Sequence, residues 1–369
     1  MPSERSPAGP ALGFPLAASV QHASARSRSD HRGVRNLKTC ELQHPDSDRL
    51  VADLLTRLGP RDIRNYPYLG DLVTRLSELD GVTAGHVTLT AGSSAAIGLV
   101  VDAFAVAARR LVLQEPEFDA WPHHAALRAV EVVRCRGFAG YPPSLTTEPL
   151  AAVLRTGPPA VVALTNPSNP GGQALPPSQV AALAGLAAAG GHLLVVDECY
   201  GAFGGVNHVP LLHQHPNLLV LRSLSKSWGL AGVRLAVMFG HPELINHLRR
   251  FRADNTVSGT AVALGLGLAD RLPELRRVWA DVARIRDTFA ARVVADHPEW
   301  LALPSATNFV TVLAGAHGAG DAVAVHLARR RVRVRGLDDV PGMVGGFRVS
   351  VAEEDTMVDV AGLLRGVRC

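Results

Sequence analysis

Ser223-Leu-Ser-Lys-Ser-Trp-Gly-Leu-Ala-Gly-Val-Arg234 follows directly on the short β-rich run 218–221 and holds one of only two lysines in a chain of 369 residues. Lysine and arginine together number 37, so 35 are arginine, and the two amines are Lys38 and Lys226. Where a plain positive charge suffices, this composition uses arginine. Arginine does not lose its proton near neutral pH, whereas a desolvated lysine does and then forms a Schiff base with a carbonyl. Lys226 is therefore read as a reacting amine, and Lys38 as a surface lysine that escaped the bias.

Outward from this stretch the chain alternates β-rich runs with helical ones. The runs 86–90, 111–114, 130–134, 160–165, 192–196, 218–221 and 235–239 predict seven strands of one mostly parallel sheet covered by helices. In such sheets ligands bind beyond the carboxyl ends of the strands. The residues found there are Gly92-Ser-Ser94, Phe118, Asn169, Asp197 with Tyr200, and Ser223 to Lys226. After residue 241 helical patterns dominate, and 308–313, 332–335 and 347–351 read as strands of a smaller C-terminal α/β domain. The expected division is an arm over 1–36 that is Pro-, Ser- and Arg-rich and disordered, an N-terminal share of the small domain over 37–65, a large domain over 66–250, and a helical linker with the small domain over 251–369.

Composition narrows the class. A 47% hydrophobic and 19% charged chain suits a soluble globular enzyme. The formal charge of +4 is spread along the chain without any nucleic-acid-binding signature, so no nucleic-acid partner is expected. No apolar run reaches membrane-spanning length. Cys40, Cys135, Cys199 and Cys369 show neither disulfide-framework nor metal-ligand spacing, which points to a reducing cytoplasm and no metal site.

Seven motifs occur in order: Asn65-Tyr-Pro67, Ala91-Gly-Ser-Ser94, Glu115-Pro-Glu-Phe118, Asn169-Pro-Gly-Gly172, Val196-Asp-Glu-Cys-Tyr200, the lysine stretch, and Phe347-Arg-Val-Ser350. Each is weak alone, but together they resemble the fold type I pyridoxal-phosphate enzymes, closest to the histidinol-phosphate aminotransferase-like branch of class I/II aminotransferases. The resemblance implies an aspartate aminotransferase-like fold with pyridoxal 5′-phosphate as cofactor. It also implies amino transfer from an amino acid, or an amino phosphate such as histidinol phosphate, to a 2-oxo acid.

By the same resemblance Lys226 carries the cofactor and shuttles protons, and Asp197 faces the pyridine nitrogen. Asn169 and Tyr200 reach the ring oxygen, and Phe118 stacks on the ring face where tyrosine is common. Ser93 and Ser94 at a helix start, with Ser223, Ser225 and Arg234, are expected to hold the phosphate. Tyr66 is implied to reach the cofactor of a neighbouring subunit, hence a homodimer with shared sites. Arg335 and Arg348 are implied to grip the anionic group of the substrate, while Arg331 and Arg333 read as the solvated face of a strand.

The ordinary structural alternatives are a turn at Asn169, a helix cap at Asp197 and core packing at Phe118. Two departures touch the substrate side. Ala95 and Ala96 stand where an acidic residue usually follows the phosphate loop, and only Glu41 to Pro45 remains of the Asn-Glu-Asn-Pro segment that helps close such sites. Other pyridoxal-phosphate reactions at Cα, such as threonine-phosphate decarboxylation, elimination or γ-substitution, and a non-catalytic cofactor-binding protein therefore stand beside transamination as alternatives.

Overall fold

In the computed structural model, residues 32–367 are described. Seven strands form the central sheet in the order Val87–Thr90, Ala236–Gly240, Leu218–Ser223, Leu193–Asp197, Val161–Thr165, Arg110–Glu115 and Glu131–Arg136. Ala236–Gly240 runs antiparallel to both its neighbours, and the other pairings are parallel. These seven are the runs read from the sequence, shifted by one or two residues at their ends.

Why those runs became central strands is plain from their packing. Val162, Leu164, Leu194, Val196, Leu218 and Val220 enter one core, while Val161, Ala163, Val195, Leu219 and Leu221 enter the core on the opposite face. A strand buried on both faces needs apolar side chains at every position, which is why these runs do not alternate with polar residues. Leu72 and Leu76 of Gly70–Leu79, with Val180 and Leu183 of Pro177–Ala189, cover the first face. Ile97 of Ser93–Val100, Trp121 of Ala120–Leu127 and Ile245 of Pro242–Phe251 cover the second.

A second sheet of four antiparallel strands has the order Leu301–Ala302, Phe309–Leu313, Gly346–Ser350, Arg335–Gly336. Val310, Val312, Phe347 and Val349 turn one face of it onto the 25-residue helix Leu272–Asp296 and the helices Ala319–Ala328 and Glu354–Leu364. Its other face carries Phe309, Thr311 and Arg348 and looks toward the large sheet, where Thr311 Oγ1 donates to the Pro170 carbonyl.

Three expectations are corrected here. The arm expected over 1–36 lies mostly outside the described residues, but its end is ordered: Arg35–Asn36 pairs in parallel with Val332–Arg333. The single strand expected over 332–335 is two. Val332 and Val334 both bury in the small core, but the backbone pairs first with Arg35–Asn36 and then, at Arg335–Gly336, with Phe347 and Arg348. Residues 37–65 also pack in two places, since Leu37 and Leu42 join the small core whereas Leu50 and Leu54 of the helix Pro45–Leu55 join the large one.

Candidate active site

The carboxyl ends of three parallel strands meet at one point. Asp197 ends Leu193–Asp197, Thr165 lies beside it in register, and Ser223 ends Leu218–Ser223. Ser223 then caps the single turn Leu224–Ser227, its Oγ accepting from Ser225 N at 3.3 Å, and this turn carries Lys226. A cavity of about 320 Å³ opens above. Ser93, Ser94, Phe118, Asn169, Asp197, Tyr200, Ser223, Ser225, Lys226, Arg234, Arg335 and Arg348 all line it. Of the sequence-derived site residues only Tyr66 lies elsewhere, 83% exposed on the chain's surface.

At the floor of the cavity the charges are shaped by burial. Lys226 Nζ donates to the Thr39 carbonyl at 2.6 Å, and burial lowers the pKa of the amine below that of an ordinary lysine. A free amine is the form that attacks a carbonyl. Asp197 is 3% exposed and its carboxyl is pushed up to about 6, chiefly by burial, although Cys199 N donates to its Oδ1 at 3.0 Å. A cationic ring nitrogen against this carboxyl would return it to the ionised form. Tyr200 is buried, which raises its phenol well above the usual range, and its hydroxyl accepts from Asn169 Nδ2 at 3.4 Å.

One end of the cavity combines a helix start, serine hydroxyls and a guanidinium, the groups that suit an anion. Gly92 adopts a φ of 83° just before the helix Ser93–Val100, whose first N–H groups point outward with no partner from within the helix. Glycine suits the positive φ there, and a Cβ would lie 2.4 Å from Arg234 Nη2, so that the tip of the arginine would have to shift. Arg234 crosses this spot and donates from Nη1 to Ser225 Oγ at 3.5 Å and to the Ala231 carbonyl at 3.2 Å.

The opposite end is cationic. Arg335 and Arg348 are direct cross-strand partners, so both guanidinium groups rise from one face. Arg348 is 8% exposed and, among the described residues, meets no carboxylate: it donates to Asn169 Oδ1 and the Lys38 carbonyl, lies 5.0 Å from the Phe309 ring centre, and leaves its buried Nε without a partner. A buried guanidinium with no anion is costly for the fold. Arg335 is more exposed and is paired with Asp339 at 2.6 Å.

The structure also corrects the reading of Lys38, which is not a stray surface lysine but lines the same cavity as Lys226, Arg335 and Arg348. Both amines of the chain thus face one site. The rarity of lysine was the signal, and it applied equally to both. Residues 37–41, read from the sequence as the start of the small domain's N-terminal share with only Glu41 in the closing-segment remnant, cross the site: Lys38 O and Thr39 O accept from Arg348 and Lys226, and Glu41 lines the cavity.

Glu117 was missed as well, although it sits inside a quoted motif. Its Oε1 accepts from Thr165 Oγ1 and from Phe118 N at 2.7 Å, its Oε2 is buried without a partner, and burial pushes the carboxyl up to about 8. It is therefore a neutral acid at neutral pH, hydrogen-bonded to the Phe118 backbone and the Thr165 hydroxyl.

A larger cavity of about 420 Å³ lies on the far side of Ser223 and Ser227, and three of its charged residues are bound into one network. Arg222 bridges Glu198 at 2.8 Å and Asp80 at 2.7 Å, and Glu198 also binds the buried His208 at 2.6 Å. Arg348, with its buried and unpartnered Nε, lines the first cavity instead. There the donor set offers an amine, a buried carboxyl, an aromatic face and a serine–arginine anion cradle, which together fit a phosphorylated aromatic aldehyde.

Residues 48–361 match the family aminotransferase class I and II, and the chain belongs to it. It is an enzyme that transfers amino groups with pyridoxal phosphate as cofactor. Histidinol-phosphate aminotransferase of Thermobifida fusca is 32% identical over 331 residues, covering 87% of this chain and 86% of that protein. The structure of histidinol-phosphate aminotransferase from Sinorhizobium meliloti in complex with pyridoxal-5′-phosphate superposes with a TM-score of 0.79 at 24% identity, over 90% of each chain. L-threonine-O-3-phosphate decarboxylase from Porphyromonas gingivalis shares the fold, with a TM-score of 0.74 at 18% identity over 90% of this chain and 98% of that one.

Proposed function

We propose that this enzyme moves an amino group from an anionic amino donor, an amino acid or an amino phosphate of the histidinol-phosphate kind, to a 2-oxo acid. The observation that carries this reading is Arg348, a buried guanidinium with an orphaned Nε that shares its cavity with the Lys226 amine. A carboxylate or phosphate on the substrate would supply the missing anion, and a planar guanidinium suits either.

Pyridoxal phosphate, when bound, supplies an aldehyde that condenses with amines and a ring that accepts electron density from the substrate Cα. Ser93, Ser94, Ser223, Ser225 and Arg234 would hold its phosphate. Phe118 would pack on the ring face, and Asn169 and Tyr200 would donate to the ring oxygen. Asp197 would hold a proton at the ring nitrogen, since a carboxyl with a pKa near 6 is fully ionised once a cation faces it. Lys226, desolvated and lowered in pKa, would take the proton from Cα and return it one carbon away. Arg348 would fix the donor so that the Cα–H bond stands where Lys226 reaches it.

Two further features complete the proposal. Tyr66, with Ile63 and Tyr68 also exposed, would lie in a homodimer interface and reach the partner's site. The buried free thiols Cys40, Cys135 and Cys199 suit the cytoplasm, and no helix among the described residues is long and apolar enough to cross a membrane.

The test is the visible absorbance of the cofactor-loaded protein with a panel of amino acids and histidinol phosphate. Loss of the band with a donor, and its return with a 2-oxo acid, is the expected result. Release of carbon dioxide with no need for a 2-oxo acid would overturn it in favour of decarboxylation.

A further inference from the structure

Glu117 does not line the cofactor cavity, yet it joins two residues that do. Its Oε1 accepts from the Phe118 backbone N–H at 2.7 Å and from the Thr165 hydroxyl. Phe118 would pack on the cofactor ring. Thr165 is the in-register neighbour of Asp197 on the adjoining strand, so the two side chains rise on one face. A single oxygen thus ties the segment that carries the aromatic face to the strand ends that carry the ring-nitrogen carboxyl. The second oxygen, Oε2, is buried without a partner.

The clamp itself needs only an acceptor, which a glutamine would supply without a titratable group. The glutamate is held neutral instead. Burial is the main cause that pushes its carboxyl up to about 8, and the charge of Asp197 adds to it, while the hydrogen bonds from Thr165 and Phe118 oppose. Asp197 faces it from the sheet; on its own segment Glu115 is paired with Arg134, and Asp119 is exposed at the cavity. Two neighbouring buried carboxyls therefore divide the roles at neutral pH, Asp197 ionised and Glu117 protonated.

We infer that Glu117 is a positioning residue for the cofactor: it clamps Phe118 and Thr165 through Oε1, and it works with its proton in place, leaving Asp197 as the single carboxylate beside the ring nitrogen. An ionised Glu117 would set a second negative charge near a ring whose task is to accept electron density from the substrate Cα, and so would oppose that acceptance. Asp197 already holds the ring-nitrogen proton, so the second charge brings no gain there. A cation at the ring nitrogen relieves the repulsion from Asp197, which lowers the Glu117 midpoint in the loaded enzyme, while burial keeps it above that of an ordinary glutamate. The inference rests on the proposed place of Asp197 at the ring nitrogen.

Wild type, Glu117→Gln and Glu117→Ala, each loaded with pyridoxal phosphate, are compared from about pH 6 to about pH 9. Infrared difference spectra of the resting proteins follow the carbonyl band of a protonated carboxylic acid without turnover. Single-turnover rates use the amino donor that most strongly bleaches the cofactor band. Titration of the cofactor-free proteins with pyridoxal phosphate gives its affinity.

The wild-type rate should fall on the alkaline side by about tenfold, the scale of one charge several ångströms away at an effective dielectric of about 20, with the midpoint at which the carboxylic-acid band disappears. Glu117→Gln should lack that band, match wild type at the acid end and keep its rate at the alkaline end. Glu117→Ala, neutral but without an acceptor, should be slow throughout and bind pyridoxal phosphate roughly fivefold more weakly, the effect of a lost hydrogen bond. Three results would overturn the inference: a wild-type rate with no alkaline fall or one that Glu117→Gln shares unchanged, an acid band identical in wild type and Glu117→Gln, or a Glu117→Ala protein equal to wild type. Failure of the underlying reading shows separately, as an Asp197→Ala protein that turns over normally or a cofactor band that no donor bleaches.

Discussion

Glu117 gives the most quantitative expectation. Its carboxyl is pushed up to about 8 in the folded protein, against an ordinary value of 4.5. Burial is the largest cause, and the hydrogen bonds from Thr165 and Phe118, which favour the charged form, oppose it without prevailing. Between those two midpoints the folded protein keeps a proton that the unfolded chain has released. Stability must therefore fall as pH rises, by about 1.4 kcal/mol per pH unit for one group.

From pH 5 to pH 8 this amounts to about 4 kcal/mol, a large share of the roughly 5–15 kcal/mol that holds a typical domain together. Glu117→Gln keeps the shape and the acceptor oxygen but cannot titrate. The two proteins should be nearly equal in stability at pH 5, and the variant should be ahead by about 4 kcal/mol at pH 8. Urea unfolding of both cofactor-free proteins at several pH values reads the difference, and removing the cofactor keeps ligand linkage out of the comparison. Asp197 titrates in both proteins, so its contribution largely cancels. A stability difference that stays flat, within about 1 kcal/mol over this window, would refute the argument that Glu117 folds as a neutral acid.

Three other outcomes are expected. Lys226→Ala should abolish amino transfer and the visible band of the bound cofactor without lowering the unfolding midpoint, because the change removes a desolvated cation rather than a packing group; measurable turnover would contradict its role. Asp197→Ala should lower kcat by at least about a hundredfold, the usual scale for a charged partner of the reacting system, while cofactor affinity changes far less; single-turnover rates and cofactor titration separate the two. Gly92→Ala should cost about 1–2 kcal/mol by urea unfolding, from the positive φ, and should weaken cofactor binding by displacing Arg234; an unchanged affinity would show that Arg234 does not hold the phosphate.

The large sheet could be read from the sequence because its central strands, such as Val161–Thr165, Leu193–Asp197 and Leu218–Ser223, are short apolar runs buried on both faces. The positions just past those runs then pointed to Ser223, Lys226, Asn169 and Asp197, which the structure brings to one cavity. The small domain was harder. Its strand at 332–335 changes partner at Val334, a switch that depends on Arg35–Asn36 offering an edge from the other end of the chain. Composition and period say nothing about such a partner. Likewise Arg335 and Arg348 were singled out as two arginines near strand ends, but their direct opposition is a matter of register, which only the paired backbone defines.

Lys38 and Glu117 were overlooked because each has an ordinary role available in one dimension. A lysine after Asn36-Leu37 near the start of a chain reads as solvated, and a glutamate after a proline reads as a turn acid. What makes each unusual is the company that folding supplies. Around Lys38 it supplies two guanidinium groups, and around Glu117 it supplies an enclosure with one hydrogen-bonding side for two oxygens. Both arrangements run against stability. Among the described residues no carboxylate bonds Arg348 and its Nε is buried without a partner, so on the proposed reading that partner is the anionic group of the substrate. On that reading the contact that fixes the donor is absent from the empty protein, and the unpaired guanidinium of Arg348, rather than the residues of the cofactor cradle, selects the donor.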